Sequence, residues 1–145
     1  MALTRVAVDT SVLIAALQAW HPEHERSVRA LNAALAEPPV IVPFHALLET
    51  YSVLTRLPRR LRLSPDTAVT LLERTLRGNV EVPGLEHDAA FALLRSFRDR
   101  DIAGGAVYDA WIAESASRAG AASILTLNRQ HFDRLSPEGL AAVEP

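Results

Sequence analysis

Short apolar runs rich in β-branched residues alternate with longer stretches of helical period along this chain. That alternation is what a buried parallel sheet with helical crossovers requires. The runs "TRVAV" (4–8), "PPVIVP" (38–43), "NVEV" (79–82) and "SILTL" (123–127) supply the strands. Helices are predicted from Thr10 to about Leu17, and from Pro22 to Ala36 with Val28, Leu31 and Leu35 on one face. The stretch "HALLETYSVLTRL" places Leu47, Leu48, Tyr51, Leu54 and Leu57 on one stripe. Ser64 caps the next helix, with Pro65 at its first position and Gly78 as its stop. Two more follow, in "EHDAAFALLRSFR" and from Val107 to Ala119, the latter ended by Gly120. The expected fold is α/β, a three-layer α/β/α arrangement with a central, mostly parallel sheet. A chain of 145 residues suits one such domain, spanning 1–145.

Composition excludes several function classes. The net charge of −2 advertises no polyanion through bulk charge, so any nucleic-acid binding must rest on a local patch. All fifteen basic side chains are Arg, whose planar donors suit phosphates. The absence of Cys rules out disulfides and thiolate metal sites and fits a reducing compartment. Asp9, Thr10 and Ser11 interrupt the one N-terminal stretch that resembles a signal peptide, and no other run approaches a membrane span. A cytoplasmic protein without membrane contact is expected.

Within "RVAVDTSVLIAAL" a single acid, Asp9, stands among residues that otherwise read as core. It falls at the predicted carboxyl end of a strand, where open parallel sheets bind their ligands. A helix N-cap is the plain alternative. Two further acids share such settings: Glu49 in "FHALLETYSVL" and Asp109 in "AVYDAWIA", each near the start of a mostly apolar helix. Taken singly, a snorkelling Glu and a first-turn Asp explain themselves. Gathered together, the three would raise one another's pKa unless a cation neutralised them. The fitting cation is a hard divalent ion held by oxygen, Mg²⁺ or Mn²⁺, and the chemistry it supports is phosphodiester hydrolysis.

The stretches "VDTSVLIAAL", "LLETYSVLTRL", "GGAVYDAWIAESA" and "ILTLNRQHF" together resemble PIN-domain ribonucleases, in particular VapC-type toxins of toxin–antitoxin pairs. The resemblance covers nearly the whole chain. It implies a PIN-like α/β/α domain and an Mg²⁺- or Mn²⁺-dependent endoribonuclease, with Asp9, Glu49 and Asp109 as the catalytic, metal-binding acids. Asn128 stands where the family often has a fourth acid. It offers a carbonyl oxygen without charge, so a second metal should bind more weakly. Thr10 or Ser11 can assist the metal shell or simply cap the helix. Thr126 and His131 flank the Asn128 position and orient water or RNA, or form a turn. The resemblance also implies a homodimer, an RNA substrate and a cognate VapB-like antitoxin.

Other candidates compete. Arg56, Arg59, Arg60 and Arg62 concentrate in "TRLPRRLRLSP" as a possible grip on RNA phosphates; a solvated loop or a protein contact are the alternatives. His21 and His24 have helical spacing but a polar setting, which places them toward solvent rather than at zinc. His45 and His87 precede predicted helices, where local polar contacts explain them. A phospho-aspartate phosphatase would normally carry a second Asp at the position of Ser11. A metal-dependent phosphatase and a PIN-like binding module without catalysis remain the alternative functions.

Overall fold

The computed structural model describes residues 4–145. Five strands and seven helices follow in chain order: β1 (Arg5–Val8), α1 (Thr10–Leu17), α2 (His24–Leu35), β2 (Val40–Ile41), α3 (Phe44–Arg56), α4 (Pro65–Leu76), β3 (Val80–Glu81), α5 (Ala90–Asp99), α6 (Ala106–Arg118), β4 (Ala121–Leu125), α7 (Arg129–Leu135) and β5 (Ala141–Val143). The sheet runs β3-β2-β1-β4-β5, and every pairing is parallel.

Alternation along the strands divides the apolar residues between two faces. Ala7, Ile41 and Ile124 join the core under α6 and α7, with Ile112, Ala113 and Phe132. Their neighbours Val8, Val40 and Val42 join the opposite core, with Val12, Leu13, Leu31 and Leu72 from the helices over that face. The three-layer α/β/α fold expected from the alternation of elements is therefore present, and the sheet is wholly parallel among the described residues.

Several boundaries differ from expectation. The helix predicted from Pro22 begins at His24, after a turn. Leu48 is half-exposed, and Ala46, Thr50 and Leu54 form the buried stripe of α3 instead. The segment predicted as one helix from residue 86 opens with a separate 3-10 turn, His87–Ala89. α7 and β5 had no counterpart in the sequence reading. Their residues are few, and β5 buries only Ala142 of its three.

Ser64 does cap α4, accepting from the Thr67 amide at 3.1 Å, with Pro65 opening the helix. Gly120 has a φ of 89° between α6 and β4, a left-handed conformation that favours glycine. That turn lets the chain pass from a crossover helix straight into the sheet. No helix among the described residues is long and apolar enough to cross a membrane.

Candidate active site

Strand pairing places the first acid. β1 ends at Val8, and the Asp9 amide donates to the Leu125 carbonyl of β4 at 3.0 Å. Asp9 thus sits at the carboxyl edge of the sheet. It follows the central strand, whose connections leave towards β2 on one side and whose other neighbour is β4. Its residue is only 2% exposed.

Asp9 is the N-cap residue of α1, yet its side chain makes no capping hydrogen bond. The Oδ2 atom instead accepts from Ser11 Oγ at 2.8 Å and from Thr126 Oγ1 at 3.0 Å. Each hydroxyl in turn accepts from a backbone amide, Ser11 from Leu127 and Thr126 from Asn128, both at 3.0 Å. The helix-capping reading of Ser11 is corrected here, while Thr126 does form a local turn through the Asn128 amide and also reaches Asp9. These hydroxyls tie the start of α1 to the chain leaving β4. Thr10 is the first residue of α1, and its buried hydroxyl finds no partner among the described residues.

Burial pushes the Asp9 carboxyl up to about 6, against the opposing pull of the Ser11 and Thr126 hydroxyls; the nearby Asp109 charge pushes it further up. The two hydroxyls are thus what holds charge on a buried carboxylate. Thr126→Val removes one of them and leaves the Asn128 amide without its acceptor. A loss of about 1–3 kcal/mol is expected, the cost of a stranded buried polar group. Urea denaturation at neutral pH checks this, and an unchanged midpoint refutes it.

Asp109 lies in the first turn of α6. Its carboxyl is also raised, first by burial and then by Glu49, while His131 and His45 oppose the shift. Asp109 is therefore the acid that feels both of the others. Its Oδ2 stands 2.9 Å from His131 Nδ1 on α7, so His131 holds an acid instead of shaping a turn. Glu49, in the second turn of α3, stands 3.4 Å from His45 Nε2.

His45 lies inside α3 rather than ahead of it. Its ring stacks on Tyr108 at 5.0 Å between centroids and meets Trp111 at 4.9 Å. This packing joins α3 to α6 and carries Glu49 and Asp109 on facing helices. His45 and His131 are the residues whose roles sequence reasoning missed. The i,i+4 spacing of His45 and Glu49 was the available signal for the first, and no local spacing marks the second.

The donors are all oxygen, and two raised carboxylates face each other through their charges; a hard divalent cation fits that chemistry. Among the described residues, no three acidic or imidazole side chains stand close enough to hold one metal ion together. The electrostatic link runs from Asp9 through Asp109 to Glu49.

The remaining predicted residues lie outside this network. Asn128 is exposed and precedes α7, with no side-chain capping bond. Arg56 ends α3, seven residues or about 10 Å beyond Glu49. Arg59 and Arg60 follow in an exposed turn, and Arg62 donates to the Leu57 carbonyl at 2.9 Å. His21 and His24 do not simply face solvent. His21 Nδ1 accepts from the Glu23 amide, and His24 Nδ1 donates to the Ala15 carbonyl at 2.8 Å, fastening α2 to α1.

Residues 6–136 match the model of the PIN domain. The chain belongs to the PIN-domain family. It is 40% identical to Ribonuclease VapC40 of Mycobacterium tuberculosis over 116 residues, covering 80% of this chain and 81% of that one. The crystal structure of M. tuberculosis VapC20, named as a sarcin-ricin loop cleaving toxin, superposes with a TM-score of 0.72 at 21% identity. It covers 97% of this chain and 99% of VapC20. Rickettsia felis VapBC2, bound to a DNA fragment from its promoter, gives 0.67 at 16% identity over 97% and 98% of the two chains. These two structures support the PIN fold described above. In this PIN domain the Asp9 network belongs to the sheet edge, while Glu49 and Asp109 arrive on crossover helices.

Proposed function

We propose that this PIN domain, spanning 1–145 as one unit, is a VapC-type endoribonuclease toxin that hydrolyses RNA phosphodiester bonds. The observation that carries the reading is Asp9, a nearly fully buried carboxylate fixed by Ser11 and Thr126 and electrostatically joined to Asp109. A carboxylate in that setting serves no capping role. Identity to a protein named Ribonuclease VapC40 supports the same reading.

Asp9, Glu49 and Asp109 would draw Mg²⁺ or Mn²⁺ to this edge of the sheet, reaching it partly through the ion's own waters, since the three do not close on one point, with Asn128 a weaker, uncharged contributor. Such an ion lowers the pKa of a bound water and stabilises charge on a phosphoryl group. The chain's own part is to keep the acids ionised and oriented. Ser11 and Thr126 donate to Asp9, while His131 orients Asp109 and His45 orients Glu49. A cytoplasmic homodimer silenced by a VapB-like antitoxin completes the proposal; its support is a likeness to a protein solved as a VapBC pair.

The test is cleavage of labelled total RNA by purified, antitoxin-free protein with Mg²⁺, with Mn²⁺ and with chelator. Discrete cuts that appear with metal and vanish with chelator are expected. Equal cutting in chelator, or none by a folded chain, overturns the reading. The spacing of the three acids favours one second reading, a binding module without catalysis. Under that reading, metal binding would be the same in the parent and in Asp109→Asn.

A further inference from the structure

Two open cavities, of about 400 and 410 Å³, meet on α7. Arg100, Ile102 and Ala106 border the first, and Asn128, Arg129 and Glu144 the second; His131 and Arg134 line both. His131 and Arg134 are three residues apart, so they share one face of the helix. Since His131 Nδ1 is 2.9 Å from Asp109, this double cleft opens beside that acid through His131. A larger cavity of about 580 Å³, bordered by Glu81, Glu86 and Arg118, touches neither His131 nor any other residue of α7.

Three guanidinium groups border the cleft on α7, and they are not equally free. Arg100 Nη2 donates to the Leu135 carbonyl at 2.8 Å, which fixes it against the end of the helix. Arg129 leans toward Asp133 at 3.8 Å. Exposed Arg134 has no ion pair or side-chain hydrogen bond recorded among the described residues. Asp101 lines one cavity and Glu144 the other, while Arg134 lines both and keeps a cation in each.

We infer that Arg134, flanked by Arg129 and Arg100, grips successive phosphates of an RNA strand and lays it across His131 beside Asp109. The inference rests on the nuclease reading above. Planar guanidinium forks match phosphate oxygens, and cations strung along an open cleft suit an extended polyanion better than a compact ligand. Arg134 is thus a positioning residue. The Arg59–Arg60 turn lies beyond the far end of α3.

The test uses the full chain carrying Asp9→Asn, to suppress cutting, and a short fluorescein-labelled RNA of mixed sequence read by anisotropy over a salt series in chelator. Arg134→Ala is expected to weaken binding roughly threefold to tenfold and to lower the salt slope by about 0.7, one phosphate contact on a single strand. Arg134→Lys keeps the charge and should keep the slope. The double change Arg59→Ala, Arg60→Ala should alter neither. Unchanged affinity and slope in Arg134→Ala overturn the inference. So does an unsubstituted Arg134 chain that fails to bind the probe at low salt, and so does a loss seen only with an acidic protein tail in place of RNA. Cleavage by the wild-type chain, measured separately, distinguishes the two claims. RNA cutting indifferent to Arg134→Ala sinks the grip alone, whereas Arg134-dependent binding without metal-dependent cutting sinks the nuclease reading alone.

Discussion

Asp9→Asn is expected to abolish RNA cleavage and, in metal-free protein at neutral pH, to raise stability by roughly 3 kcal/mol. The second effect follows from the carboxyl's displacement from its ordinary 3.8 to about 6. Below about pH 4 the carboxyl is protonated in both folded and unfolded chains, so it contributes no difference. As pH rises, the unfolded chain releases its proton first, and the folded state loses stability until pH passes about 6. Asn has no such proton, so the two proteins should separate between pH 4 and 6 and stay apart above. Added Mg²⁺ or Mn²⁺ should narrow the gap by binding the folded parent selectively. Cleavage should fall at least about 100-fold, the upper end of the cost of losing an outer partner of a metal ligand. Denaturant midpoints from pH 4 to 8, with and without metal, decide the stability claim. A variant less stable than its parent throughout would sink it.

Phe132→Ala should cost about 3–5 kcal/mol, a large share of the roughly 5–15 kcal/mol that holds a typical domain together. Phe132 is fully buried among Ile112, Ile124 and Leu140. It anchors α7, whose seven residues are too few to persist as an isolated helix. Loosening that anchor also frees His131 from Asp109, so the loss should reach the candidate site. Urea denaturation measures the first effect, and the ring signals of His131 in NMR report the second. Phe132→Leu, which leaves most of the volume in place, should lose much less. A Phe132→Ala midpoint within 1 kcal/mol of the parent would show that α7 is held by other means.

The acids were legible in the sequence because each stands alone in an apolar setting, and Asp9 and Asp109 owe their raised pKa values first to that burial. The layered fold was legible too, since strand period and helix period differ sharply in "RVAV" and "TLLERTL". What connects the acids was not. Ser11 and Thr126 meet across a separation of 115 residues, and local patterns report only on neighbours a few residues away. The same holds for His131, whose contact with Asp109 depends on where α7 docks. α7 and β5 escaped because short elements carry too few residues to show a period. A dense run such as "RLPRRLR" is conspicuous in one dimension, while Arg100 joins Arg129 and Arg134 of α7 only through packing.

The central position of β1 has a consequence for the order in which the protein comes to exist. The first strand made is flanked on one side by β4, and the Asp9 carboxylate waits for Thr126, 117 residues later. At a synthesis rate of about 5–20 residues per second, that wait lasts on the order of 6–23 seconds. During it β1 has β2 on one side and an open apolar edge on the other, and no centre is assembled. A chain that stops short of Thr126 therefore lacks the assembled Asp9 network by topology alone, and a partner that recognises that network meets it only once β4 has been made.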